Sequence, residues 1–341
     1  MRRFVLWVAL FFGGMAHPPA ATAEDFAIRN VDMILTGSTP LDPFRRPGAL
    51  VADRARGILI IADTGRHRLV GFDRNWRSRG SIVLDGQNVT EPSALALDAR
   101  GRMFVLDRNS GRIEVMDARG THITFFSPSL PAQADADRAQ DLVIGSSGRM
   151  YLLMGGSHPG LCIMDRIGRP LHTVGFDSAG TGTWTAPLSL AVNADETRIA
   201  VTDASAASVV TVLDAEGKVL KSFGSHGEAR DSFSLPQDVV WGTGNTLWIT
   251  DTLRHSISVF DERGTLLSRV GGYGKGPGQF AYPVGCVFLA ENRIAVLERA
   301  NARCQVFEME LPASFRPSTA LDLKVPVSPE PVPTTDREDL R

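Results

Sequence analysis

Ile61-Ala62-Asp63-Thr64-Gly65-Arg66-His67-Arg68-Leu69-Val70-Gly71-Phe72-Asp73 and Ile249-Thr250-Asp251-Thr252-Leu253-Arg254-His255-Ser256-Ile257-Ser258-Val259-Phe260-Asp261 are two copies of one phrase. The phrase recurs six times in a chain of 341 residues, at a period of about 47 residues. Its apolar runs are short and end in Gly- and Asp-containing turns. Strands that short cannot bury a face alone, so the repeat predicts a radial array of small sheets.

Every copy has the same order of parts. A lead-in, containing proline in five copies, precedes an apolar run (strand a). A second run (strand b) ends in an acid: Asp63, Asp107, Asp203, Asp251 or Glu298, with Gly155 in that place in the third copy. A polar loop leads to strand c, which ends in an apolar–acid pair such as Phe72-Asp73, and a fourth run (strand d) leads outward. Runs such as Met103-Phe104-Val105-Leu106 are continuously apolar, as suits strands covered on both faces. The sixth copy stops after strand c, so Val31–Leu35 is expected to supply its fourth strand and close the ring. The fold class is therefore all-β: a six-bladed β-propeller of four-stranded antiparallel blades, closed by an N-terminal strand.

These residues resemble the NHL repeat family. Ala62-Asp63-Thr64-Gly65-Arg66-His67-Arg68 and Asp251-Thr252-Leu253-Arg254-His255 resemble the centre of its repeat. Gly271-Gly272-Tyr273-Gly274-Lys275-Gly276-Pro277-Gly278-Gln279-Phe280-Ala281-Tyr282-Pro283 resembles its Gly-rich linker. The resemblance spans about residues 29 to 309, with the third and fourth copies degenerate at the signature loop. It implies the same six-bladed propeller. Members range from protein and RNA scaffolds to a peptide-amidating lyase, whose zinc is held by histidines with a tyrosine and an arginine in the channel. Those ligands cannot be placed residue by residue on this chain.

Outside the repeats, residues 1–23 read as a signal peptide. Arg2 and Arg3 precede the apolar run Phe4–Phe12, and Ala21-Thr22-Ala23 is a small-x-small cleavage site. The expected location is exported, periplasmic or secreted, without membrane insertion after cleavage. Residues 24–311 form the propeller. Residues 312–341 carry six prolines and a charged end, and read as a Pro-rich flexible tail. The charge is near balance, 36 basic against 38 acidic side chains for a net −2. That gives no case for nucleic acid or a membrane surface as partner. The three cysteines read as buried thiols, because Cys286 and Cys304 fall two strands apart, about 9.5 Å.

Three sets of residues are candidates for function. First, the strand-b acid recurs with an arginine five residues on, predicting structural ion pairs Asp63–Arg68, Asp107–Arg112 and Glu298–Arg303 across the loop mouth. Second, the b–c loops emerge on one face and carry Arg66, His67, Arg108, His158, Arg254, His255 and Arg299. With the paired arginines set aside, this face is expected to be cationic and to bind an acidic partner. Third, Asp141 and Asp238, beside Gln140 and Gln237, sit where strand a meets the axis and are the candidate ligands of a single divalent ion, calcium or zinc. No phosphate loop, helical metal motif or nucleophile elbow occurs. The expected function is a non-enzymatic binding or scaffold module for a protein, peptide or acidic glycan outside the cytoplasm, with no cofactor predicted. The alternative is a metal-dependent channel enzyme resembling peptidyl-amidating lyase or gluconolactonase-type propellers.

Overall fold

Six four-stranded antiparallel sheets stand around a central channel. The structure is a computed structural model and describes residues 26–84, 89–132, 134, 138–176 and 184–312. The expected signal peptide, the tail beyond residue 312 and Asp135 to Asp137 lie outside the described residues.

Strand β1 (Ala27–Leu35) precedes a small hairpin of β2 (Gly37–Thr39) and β3 (Asp42–Pro43). Blade 1 is β4 (Ala49–Asp53), β5 (Ile58–Asp63), β6 (Arg68–Phe72) and β7 (Ser78–Val83). Blade 2 is β8 (Pro92–Leu97), β9 (Met103–Asp107), β10 (Ile113–Met116) and β11 (His122–Phe126). Blade 3 is β12 (Ala139–Ile144), β13 (Met150–Met154), β14 (Gly160–Met164) and β15 (Pro170–Gly175). Blade 4 is β16 (Pro187–Val192), β17 (Arg198–Asp203), β18 (Val210–Asp214) and β19 (Val219–Phe223). Blade 5 is β20 (Pro236–Trp241), β21 (Leu247–Asp251), β22 (Ser256–Phe260) and β23 (Leu266–Gly271). Blade 6 is β24 (Pro283–Ala290), β25 (Arg293–Glu298) and β26 (Arg303–Glu310), and β1 pairs antiparallel with β26 from Ala27 opposite Glu310 to Leu35 opposite Cys304. The closing strand is thus longer than the five residues its sequence suggested.

Burial follows position in the blade. Middle strands such as β9, β10 and β13 are buried throughout, whereas the outer strands β11 and β15 are largely exposed. The core is shared between blades. Six apolar clusters lie between adjacent blades, such as Trp248, Phe288 and Phe307 between blades 5 and 6 and Leu106, Val115 and Leu152 between blades 2 and 3. All three cysteines are free and buried.

The repeat signature becomes a clamp. The acid ending strand b is at most 1% exposed in all five blades that have it. Its carboxylate accepts a lead-in N–H from 16–18 residues earlier: Arg45 to Asp63 at 2.6 Å, Glu91 to Asp107 at 2.7 Å, Thr185 to Asp203 at 2.7 Å, Ser234 to Asp251 at 2.7 Å and Ala281 to Glu298 at 2.9 Å. An N–H just past the acid donates back to a lead-in carbonyl, as from Arg108 to Glu91 and Thr252 to Leu235, both at 2.9 Å. In blade 3 the register puts Met154, opposite Ala139, at the acid's position and Gly155 one residue further on than the sequence suggested; the second bond is kept, from the Gly155 N–H to the Arg138 carbonyl at 2.8 Å. The threonine after the acid ties blades together: Thr252 Oγ1 donates to the Pro283 carbonyl of the next blade at 2.7 Å. His67 and His255 hold the left-handed conformation, φ +49° and +55°, that closes the b–c loop.

One expected ion pair does not form. Arg68 Nε reaches Asp63 at 2.9 Å and Arg303 Nε reaches Glu298 at 2.6 Å. Asp107 instead gives its second oxygen to the hydroxyl and N–H of Ser110. Arg112 lays its guanidinium over the Phe125 ring, 5.1 Å from the centroid. Ser110 is close enough to fill the carboxylate first, which leaves Arg112 free to stack.

Candidate functional site

The antiparallel order a–b puts each lead-in and each b–c loop on the same face of the disc, so both rim one mouth of the channel. The channel holds a cavity of about 650 Å³, lined by the innermost strand of every blade. That size suits a small ligand.

Much of the arginine-rich face is held by internal partners. Arg66 is bound by Asp42, which also holds Arg68 and accepts from Ser38. These bonds, that to Arg68 foremost, hold the Asp42 carboxyl down at about 2. Arg254 donates to the Gly227 and Ala229 carbonyls and faces Asp251. Both arginines are thus engaged by neighbours within the chain. His67 is exposed at the loop end, and His158 is half-buried in the blade 3 loop, away from the cavity wall. His255 is wedged between Tyr273 and Tyr282.

Arg108 and Arg299 remain, and both line the cavity together with Arg46. Sequence reasoning passed over Arg46, because it looked for charge on the b–c loops and this residue sits in a lead-in. The signal was the lead-in itself, Arg45-Arg46-Pro47, which emerges on the same face. Partial burial lowers the pKa of Arg299, and repulsion from Arg108 and Arg46 lowers it further. Among the described residues, the ion pair these arginines make is that of Arg108 Nε with Glu91, at 3.9 Å. Arg46 holds φ +52° directly before Pro47, a backbone region disfavoured for a side-chain-bearing residue and more so before proline.

Blades 3, 4 and 5 supply the opposite wall. Asp141, Ser189 and Asp238 are each the third residue of the innermost strands β12, β16 and β20. Ser189 Oγ lies 2.9 Å from Asp141 Oδ2 and 3.1 Å from Asp238 Oδ1. Leu142 and Leu190 N–H groups complete Asp141, and Cys286 N–H reaches Asp238 Oδ2 at 2.8 Å. A Cβ at Gly285 would stand 3.1 Å from Asp238 Oδ2 and press on that carboxyl.

A serine hydroxyl has one proton, so it cannot donate to two carboxylates. The arrangement is complete when one carboxyl is protonated, and Asp238 is that group. Burial lifts it to about 7 and the Asp141 charge pushes the same way, against the pull of the Cys286 N–H. Asp141 is also raised by burial, but three hydrogen bonds to its oxygens resist the shift. Below neutrality, Asp238 donates to Ser189 and Ser189 donates to Asp141. Both carboxyls sit deep in the disc, with their remaining surface facing the channel.

This sets the sign of a pH effect. The folded pKa of Asp238 lies above its ordinary 3.8, so its contribution to stability is full below about pH 4 and is lost as pH rises through about 7. Asn at 238 reproduces the neutral carboxyl's donor and acceptor. Thermal melts from pH 4 to 8 should show wild type losing stability relative to Asp238→Asn across that window. Parallel curves would contradict the shared proton.

No group of three or more His, Cys, Asp or Glu that could hold a metal occurs among the described residues. Asp141 and Asp238 face each other through Ser189 as a hard oxygen set, and no nitrogen or thiolate ligand for zinc joins them.

A family model described as a 6-bladed beta-propeller, DUF5128, matches residues 227–327. No curated protein matches the chain in sequence. Among solved structures, the chain is similar to a gluconolactonase from Xanthomonas campestris at 16% identity and TM-score 0.61, covering 85% of this chain and 96% of that one. It is similar to regucalcin, a calcium-binding protein from Agrobacterium tumefaciens, at 14% identity and TM-score 0.59, covering 85% and 98%. It is also similar to virginiamycin B lyase from Staphylococcus aureus at 12% identity and TM-score 0.54, covering 77% and 80%. At these identities the likeness is one of fold, and the fold is an all-β, six-bladed propeller with four-stranded antiparallel blades.

Proposed function

We propose that this propeller is an exported binding module whose ligand enters the channel mouth with an acidic group against Arg46, Arg108 and Arg299. One observation carries this: three arginines from separate segments line one opening, and among the described residues they form one ion pair, Arg108 with Glu91. Cations that repel one another gain most from a bound anion. The opposite wall, with Ser189 and Asp238, supplies hydroxyl and carboxyl partners for the uncharged part of the ligand. Sulfate is a simple probe. At about a hundred times its Kd it should stabilise wild type by about 2.7 kcal/mol. Sulfate also stabilises proteins by exclusion from their surface. Arg299→Ala should keep that general effect and lose the specific one. Equal sulfate responses in the two proteins would remove the anion site.

The second reading is a metal-dependent channel enzyme, in keeping with neighbours that include a gluconolactonase and a calcium-binding protein. The Asp141–Asp238 pair favours it. The donor set is two carboxylates and a hydroxyl, short of the six to eight oxygens calcium takes, so remaining ligands would come from Gln140, Gln237 or water. Elemental analysis before and after chelator dialysis decides: near one equivalent of calcium that resists dialysis supports this reading, and its absence leaves the binding module ahead.

A further inference from the structure

Two of the chain's three tyrosines stand together on the rim of this same mouth. Tyr273 and Tyr282 are 71% and 42% exposed, an unusual display for aromatic rings. His255 lies between them, its ring 4.8 Å from each. The Tyr282 N–H donates to His255 Nδ1 at 3.2 Å, which fixes the imidazole, and the Tyr282 carbonyl accepts from the Arg299 N–H at 3.0 Å. That backbone bond is the blade 6 copy of the lead-in bond, and it sets Tyr282 beside Arg299, which lines the cavity. Tyr282 holds φ +54° immediately before Pro283, as Arg46 does before Pro47. The two strained lead-ins belong to neighbouring blades and both border the arginines. Glu91, Ala186 and Leu235 also precede a lead-in proline and do not share this conformation, so the repeat does not demand it.

We infer that the ligand is an acidic saccharide chain, with a terminal uronate seated in the channel mouth and the next sugar stacked on the Tyr273–His255–Tyr282 shelf. This rests on the anion site proposed above. Three features favour sugar over acidic peptide. The carbohydrate ring presents flat C–H faces, which aromatic faces accept without a deep apolar pocket. Its hydroxyls match Ser189 Oγ and Asp238, which are hydrogen-bonding groups on the wall facing the arginines. A uronate ring carries its carboxylate on one edge and hydroxyls elsewhere, so the terminal sugar brings one charge to the arginines.

Calorimetric titration of the mature protein tests this with four probes: galacturonate, trigalacturonate, maltotriose and triaspartate. Trigalacturonate should bind about tenfold tighter than galacturonate, the value of one added aromatic stack. Maltotriose should bind weakly and triaspartate no better than galacturonate. In Tyr273→Ala, whose side chain lies outside the core, the ratio of trisaccharide to monosaccharide affinity should fall towards one. Triaspartate binding as tightly as trigalacturonate would overturn the saccharide in favour of a peptide. Equal affinity for one and three sugars, with both lost in Arg108→Ala, would overturn the shelf and leave the anion site standing. No binding by any charged probe would overturn both.

Discussion

Glu298→Ala is expected to lower stability by about 3–5 kcal/mol. Glu298 is fully buried and its two oxygens accept from Ala281 N, Asn301 Nδ2, Arg303 Nε and Gln305 Nε2. Arg303 is 8% exposed, and its other nitrogens donate to the Lys275, Gly276 and Gln279 carbonyls of the linker. Removing the carboxylate leaves a buried guanidinium without its counter-charge and orphans a lead-in N–H. Both penalties fall on the blade that closes the ring. Denaturant unfolding with Arg303→Met and the double variant separates the terms. The double variant should recover part of the loss, because the stranded charge is gone. A loss of under about 1 kcal/mol for Glu298→Ala would mean the pair behaves as a surface salt bridge.

Deleting the chain through Leu35 should abolish cooperative folding of the ring. The deletion removes β1, which fills blade 6, and takes away Phe26, packed edge-on to Trp248 with ring centroids 5.5 Å apart. It exposes the whole ladder edge of β26, a template for pairing with other chains. Ser268 Oγ also loses its acceptor, the Phe26 carbonyl at 2.8 Å. Size-exclusion chromatography and thermal melts should show aggregates or a broad, early transition. A monomer melting as sharply and as high as the parent would show that five complete blades and one of three strands suffice.

The architecture was legible because its causes are local. Turn residues such as Asp73 and Asp261 cap the c–d turn within four residues, each accepting from N–H groups two and four residues on. The continuous apolar runs of β9 and β13 announce strands covered on both faces. The ring closure followed from counting strands in the last copy. The channel site was legible only in part, because its contacts cross between blades. Asp141 and Asp238 could be placed at the axis from the repeat alone. Ser189, 48 residues from one and 49 from the other, could be placed beside them, but its bridging role appears only once blades 3, 4 and 5 are side by side. Arg66 and Arg254 looked free because their captors, Asp42 and the Gly227 carbonyl, lie 24 and 27 residues away in other loops. The strand-b acid was matched with the arginine five residues on, whereas its shared task in all five blades is to hold the lead-in N–H groups.

The most direct test of the account is calorimetric titration of galacturonate into the wild-type protein and into an Arg108→Ala/Arg299→Ala variant at matched ionic strength. The account predicts one-to-one binding to wild type that weakens at least about tenfold in the variant, since charge-assisted contacts of this kind dominate recognition of a single acid group. Binding of equal strength in both proteins would place the ligand elsewhere and contradict the assignment of the channel mouth.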